Sequence, residues 1–230
     1  MVRTTSTTTN PNAFHDNQNI RRGGEPTKSA AKFATTSNPH KAGKGEDLGI
    51  DISSPVKVIN RKSYSTLLDK ATSHPRKRKM TDLTMNPEKN GLQILVNTWT
   101  EGSYSPVHMH PTYSEAFIIL EGELAFFTFT EDGTSTCHIL SSTSGDQAII
   151  VEAGQYHAMT AAPRSLGYSG RAIVFENSGH TYDPTSSTKA LAPFSTALND
   201  GLDGDPAYYT KILKSCPQLA RKGQSGASAE

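Results

Sequence analysis

Between Leu92 and Asn177 the apolar residues fall in short runs that alternate with polar positions or fill a few consecutive places, and no helical period develops. Leu92 to Trp99 has the composition of a strand and is followed by the turn Glu101-Gly102-Ser103. Ala116 to Leu120 is apolar throughout, and Glu123 to Thr130 closes on Glu131-Asp132-Gly133, a hairpin signal. Thr136 to Leu140, Gln147 to Val151, Tyr156 to Ala161 and Arg171 to Glu176 add further short strands. Strands at roughly 8–12-residue spacing with no helix between them predict an all-β fold, an antiparallel sandwich or barrel.

The flanks read differently. Residues 1–55 form a basic, Ser/Thr-rich leader whose few bulky apolar residues are scattered, so it cannot bury enough surface to offset chain entropy and is expected to be disordered. Its basic character raises an organelle transit peptide as one address. The ordered domain is expected over residues 56–185. Within it, Ser63 to Thr72 predicts a short helix capped by Ser63 or Ser65, with Leu67 and Leu68 on the buried side. Pro75 is followed by four consecutive cations, Arg76 to Lys79, which read as a nuclear signal, a solvated turn or an anion-binding lip. Residues 186–230 are a C-terminal extension with one short helix, Asp205 as N-cap and Pro206 in its first turn, and a loose tail from Gln218.

Composition narrows the function classes. The chain has 230 residues with 34% hydrophobic, which fits one good-sized domain with tails. Lys+Arg at 23 against Asp+Glu at 22 gives +1, a balance not built for nucleic acid or an anionic membrane. No apolar stretch approaches the ~20 residues of a spanning helix. Two cysteines, Cys137 and Cys216, are too few for a disulfide scaffold or an all-cysteine zinc site. The expected address is therefore intracellular, cytoplasmic by default.

One cluster carries chemistry: Gly102, then His108-Met109-His110, Glu115 and Gly122. On a strand, residues two apart face the same way, so His108 and His110 present two imidazoles to one side. Pro111 to Ser114 turns the chain, and Glu115 starts the next strand, pointing back toward the same interior. His157, after the turn at Gly154, offers a third imidazole. Three imidazoles and a carboxylate packed together without an ion would leave buried polar groups unsatisfied, so His108, His110, Glu115 and His157 are candidate ligands of one divalent transition metal, with Fe, Mn or Zn foremost.

The run from Gly102 to Gly122 resembles the first cupin motif, G-x5-H-x-H-x4-E-x6-G, at every fixed position. Gly145 to His157 resembles the second motif, with one extra residue after Gly145, Glu152 in place of the proline and Ala161 in place of the last asparagine. Over roughly residues 58–184 the chain is similar to the WbuC-type cupin-fold metalloprotein family. The residues that carry this are Leu95-Val96-Asn97, Tyr104, Pro106, His108, His110-Pro111, Gly122 to Ala125, Ala153-Gly154, His157 and Tyr182-Asp183-Pro184. The resemblance implies a double-stranded β-helix, or jelly-roll barrel, with a bound metal. It also makes a homodimer plausible.

Four protein ligands leave one or two positions on a metal open, which suits catalysis. The expected function is a metal-dependent enzyme, of isomerase, epimerase or dioxygenase type, acting on a small polar substrate that is sugar-derived or anionic. The alternative is a cupin that holds a ligand or metal without turnover. Tyr104, Tyr156 and Glu152 are candidate catalytic groups, Tyr113 lies beside the ligands in sequence, and Glu176 is a further acid/base candidate. Phe117, Ile119, Gln155 and Met159 share the faces of the ligands and are expected to wall the pocket. Arg76, Arg78 and Arg171 are candidate anion-binding residues. His138 and His180 are expected to be bystanders.

Overall fold

The computed structural model describes residues 43–44, 58–84, 91–180, 189–195 and 206–222, all within the unit Asn38–Glu230. The leader, apart from Gly43–Lys44, and the Asp205 cap lie outside the described residues. The strands are β1 (Gly43–Lys44), β2 (Arg78–Asp82), β3 (Gln93–Thr100), β4 (His108–Met109), β5 (Glu115–Phe129), β6 (Ser135–Ser141), β7 (Ala148–Val151), β8 (Tyr156–Ala161), β9 (Arg171–Ser178) and β10 (Ala190–Leu191). The helices are α1 (Arg61–Ser73), α2 (Pro206–Lys214) and α3 (Pro217–Lys222). The strand order is β1-β2-β3-β9-β5-β8-β4-β10, with β6 and β7 also paired to β5. Every pairing between these strands is antiparallel except β1 with β2. The result is an antiparallel β half-barrel with a few short helices, the expected all-β class.

β5 organises the molecule because it serves two layers in turn. Glu115 to Gly122 pairs with β9, and Glu115 to Ile118 with β7. Glu123 to Phe129 pairs with β6, and Leu124 to Phe129 with β8. The change of layer falls at a register shift between Ile119 and Glu121 and at Gly122, whose φ is +75°. Only glycine holds that backbone without strain, and a Cβ there would run into the Arg171 carbonyl oxygen.

Burial follows from what covers each face. Phe117, Ile119, Leu124, Phe126, Met159 and Val174 form the barrel interior with Trp99 and Leu140. The opposite face of β5, Ala125, Phe127 and Phe129, is covered by Tyr208, Ile212, Cys216 and Leu219 from the C-terminal helices. That cover explains why Glu123 to Phe127 is buried at five consecutive positions instead of alternating. A third cluster sets Leu67 of α1 on Val96 and Ile173.

Three details of the flanks differ from expectation. Asn60, not a serine, caps α1, its Oδ1 accepting from the Lys62 N–H at 2.9 Å. The helix therefore begins at Arg61, and Leu67 is fully buried while Leu68 is half-buried. The C-terminal extension holds two helices, and the segment expected to be loose from Gln218 continues α3 because Leu219, 1% exposed, needs the core. Cys137 of β6 and Cys216, between α2 and α3, form a disulfide with a Cα–Cα distance of 5.2 Å.

Candidate metal centre

The antiparallel register sets the four groups together. β4 and β8 pair at His108 opposite His157, so the two rings leave the sheet side by side with centroids 4.3 Å apart. His110 follows two residues on, its carbonyl accepting from the Gly154 N–H at 2.8 Å. Gly154, at φ +82°, makes the turn that delivers His157. Glu115 opens β5 opposite Ser178 of β9, whose Oγ donates to Glu115 Oε1 at 3.3 Å. One potential ligand atom from each of His108, His110, Glu115 and His157 lies within 4.8 Å of the other three.

Two of the three rings, His108 and His157, are held by their far nitrogens. His108 Nδ1 lies 2.8 Å from the Pro106 carbonyl and His157 Nδ1 lies 3.1 Å from the Gln155 carbonyl. A carbonyl only accepts, so each Nδ1 carries the hydrogen and each Nε2 keeps its lone pair toward the cluster. Glu115 Oε2 stands 3.3 Å from His110 Nε2 and 3.2 Å from His157 Nε2. Glu115 Oε2 and His157 Nε2 are buried and make no hydrogen bond. A carboxylate oxygen and a ring nitrogen facing each other at that distance are joined either by a proton on Nε2 or by a shared metal cation. Donors bonded at ~2.1 Å to one metal at angles of about 90–110° stand roughly 3.0–3.4 Å apart, which brackets both separations. The residues fit a divalent transition metal.

Electrostatics agree. Burial foremost, then the charge of Lys189 and the neighbouring imidazoles, pushes His108 well below the ordinary imidazole range, toward the neutral form that ligates. Burial alone would raise Glu115, but its contacts with His157 and His110 outweigh this and hold it below the usual carboxylate value. Glu176 lies beside it, accepting from Asn97 Nδ2; burial and the Glu115 charge push its carboxyl well up. Phe126 stacks on His157 at 5.7 Å and Phe117 lies 6.2 Å away, so the floor of the site is apolar.

The fold is cupin-like. Beyond the register, a family model described as a domain of unknown function, DUF6016, matches residues 59–140, taking in His108, His110 and Glu115 but stopping short of His157. No curated protein matches the sequence. Among solved structures, the capsular polysaccharide assembling protein CapF from Staphylococcus aureus is 15% identical with a TM-score of 0.42, covering 49% of this chain and 31% of its own. An oxalate oxidase in complex with the substrate analogue glycolate is 15% identical with a TM-score of 0.41, covering 68% and 77%. The Cellulomonas parahominis L-ribose isomerase is 14% identical with a TM-score of 0.42, covering 51% and 70%. This chain thus spans under a third of CapF.

The remaining expected site residues separate into those at this cupin-like centre and those away from it. Tyr156 and Tyr104 are away: on β8 the neighbour of an inward His157 must face outward, and Tyr156 packs on Phe194 at 5.8 Å. Tyr104 packs on Tyr208 at 5.6 Å, in the same outer cluster. Glu152 is exposed at the rim, accepting from Ser114 Oγ at 3.1 Å. Arg171 belongs to the other end of β9, paired with Glu121 at 3.1 Å. Arg78 stands over the Trp99 ring at 5.0 Å, and Trp99 pairs with Ala172. From Ala172 to Ser178 is about 20 Å of strand, so Arg78, its near neighbour Arg76 and Arg171 do not line this centre. Phe117, Ile119 and Met159 do wall the interior, whereas Gln155 Nε2 turns to the Phe129 carbonyl at 2.7 Å.

Of four further groups, Tyr113 and Glu176 were candidates, His180 was set aside and Lys189 was missed. Tyr113 stacks on His110 at 4.6 Å, and His180, expected to be a bystander, stacks on Tyr113 at 5.4 Å. Glu176 reaches the centre because it alternates with Val174 on the inward face of β9, a signal present in the period of that strand. Lys189 immediately precedes β10, a two-residue strand with no periodicity to read.

Proposed function

We propose that this chain is a WbuC-type cupin metalloprotein that binds one divalent transition metal through His108, His110, Glu115 and His157 and works as a metal-dependent enzyme on a small polar substrate. The observation that carries the reading is the buried pair of acceptors, Glu115 Oε2 and His157 Nε2, held face to face without a hydrogen bond. When bound, the ion supplies a Lewis acid that polarises a carbonyl or hydroxyl oxygen. The chain's own residues do the rest. Pro106 and Gln155 fix the ring tautomers through their carbonyls. Ser178 orients the Glu115 carboxylate, leaving Oε2 for the ion. Phe117 and Phe126 keep water from the floor, which strengthens every charge interaction above it.

Access favours turnover over passive storage. The side chain of His110 is 11% exposed whereas that of His157 is 1% exposed, so the centre opens on the His110 side and is closed behind. The test is elemental analysis of the purified protein by plasma mass spectrometry beside a His108→Ala/His157→Ala variant. Near-stoichiometric metal in the wild type and its loss in the variant are expected. No metal in either after reconstitution would overturn the reading. Metal that is held but never exchanges a solvent ligand, followed by water-proton relaxation with Mn(II), would turn it toward the non-catalytic alternative.

A further inference from the structure

We propose that the substrate of this centre is a small carboxylate whose anionic group is anchored by Lys189 at the open side of the site. The inference rests on the metal reading above and adds the substrate class to it.

Backbone register supplies the first argument. β10 pairs with β4 so that Leu191 lies opposite His108 and Ala190 opposite Met109. Continuing by one residue sets Lys189 opposite His110. Cross-strand partners in an antiparallel pair share a face, as do residues two apart, so Lys189 shares the face of Leu191, His108 and His110. That is the ligand face.

Exposure supplies the second. Lys189 is exposed, and His110 is more open to solvent than Glu115 or His157 beside it. A molecule entering on that side meets the lysine before the ion.

Charge balance supplies the third. An ion of charge +2 offset by Glu115 leaves one positive charge, and Lys189 adds another. Even with Glu176 ionised, the sum stays positive and an anion is favoured. A single ammonium of three donors, whatever contact it already makes, suits one carboxylate with its other oxygen on the metal. A phosphate calls for several cations or a cradle of backbone N–H groups. The arginines expected to supply that role stand about 20 Å away along β9.

The test uses Co(II)-loaded full-length protein, with the visible spectrum of the metal as readout. Acetate and lactate are titrated in, with acetamide and lactamide as uncharged controls and inorganic phosphate as a second anion. In the wild type, lactate is expected to perturb the spectrum at lower concentration than lactamide. In Lys189→Met the lactate affinity is expected to fall by about 10-fold or more, with lactamide unchanged. Lys189→Arg should recover part of the loss. Equal lactate affinity in wild type and Lys189→Met, no carboxylate binding to the loaded wild type, or Lys189-dependent binding of phosphate alone would each overturn the proposal. Failure of the metal reading looks different. Then Co(II) itself does not bind, in wild type or variant, before any carboxylate is added.

Discussion

Gly122 and His108 show how much rests on single positions, one sterically and one through charge. At Gly122 a methyl group meets the Arg171 carbonyl on a backbone already in the left-handed region. Gly122→Ala is therefore expected to cost about 2 kcal/mol or more, read as a lowered urea midpoint. His108 ties stability to pH. Its ordinary value of 6.5 applies in the unfolded chain, while burial holds it well below that in the folded one. As pH falls past about 6.5 the unfolded, metal-free chain takes up a proton that the folded one refuses, so stability drops on acidification. Glu115, held below its ordinary 4.5, acts in the same direction at lower pH, its contribution fading as pH falls through the folded value. Glu176 acts oppositely: its carboxyl is raised, and its contribution fades as pH rises through the folded value. In metal-stripped protein, His108→Gln should flatten the fall of Tm between about pH 7 and pH 5, because it removes the proton that only the unfolded wild type accepts. The four candidate ligands were legible at this scale because strand alternation and a fixed motif spacing both point inward. Tyr104 and Tyr156 were misplaced because nearness in sequence says nothing about face, and Tyr156 is one residue out of phase with His157.

At the scale of elements, β5 and the C-terminal helices carry the most. The hairpin after Glu123 was readable from its run of apolar residues and from Asp132-Gly133, and the strands β3 to β9 lie close to where their patterns put them. The unbroken apolar run Leu124 to Phe127 was the one sign that both faces of β5 are covered, yet nothing local to it names the cover. The cover comes from α2 and α3, 80 residues later, through Tyr208, Ile212 and Leu219. The disulfide is equally non-local, closing 79 residues of sequence between β6 and the junction of the two helices. A closure of that length constrains the unfolded chain strongly. Cys137→Ala/Cys216→Ala is expected to lower stability by about 2–4 kcal/mol in denaturant unfolding. Reduction of the wild type should reproduce that loss.

For the molecule as a whole, the extension beyond the half-barrel is part of the second core. Removing everything after Ser195 would uncover Phe127, Phe129 and Ala125 together and leave Cys137 without its partner. That truncated protein is expected to bind a hydrophobic dye such as ANS strongly and to lose solubility, where a loosely attached tail could be removed without effect. The cation run Arg76 to Lys79 follows the same lesson: its charge was legible, its position was not. Arg78 is turned onto Trp99 by the pairing of β2 with β3, at the end of the sheet opposite to Glu115.

The pairing of β10 with β4 also sets an order of assembly during synthesis. Every candidate ligand has left the ribosome before Ala190 and Leu191 appear, but until they do, β4 has one neighbour, β8, and a bare edge. His108 then sits on a two-residue strand held from one side only. The candidate ion site is thus completed late, by a segment made some 80 residues after its first imidazole. A ribosome stalled with His157 emerged and Ala190 still in the exit tunnel would hold a nascent chain that presents all four candidate donors and is expected to bind metal weakly, and release of the next residues should tighten the grip.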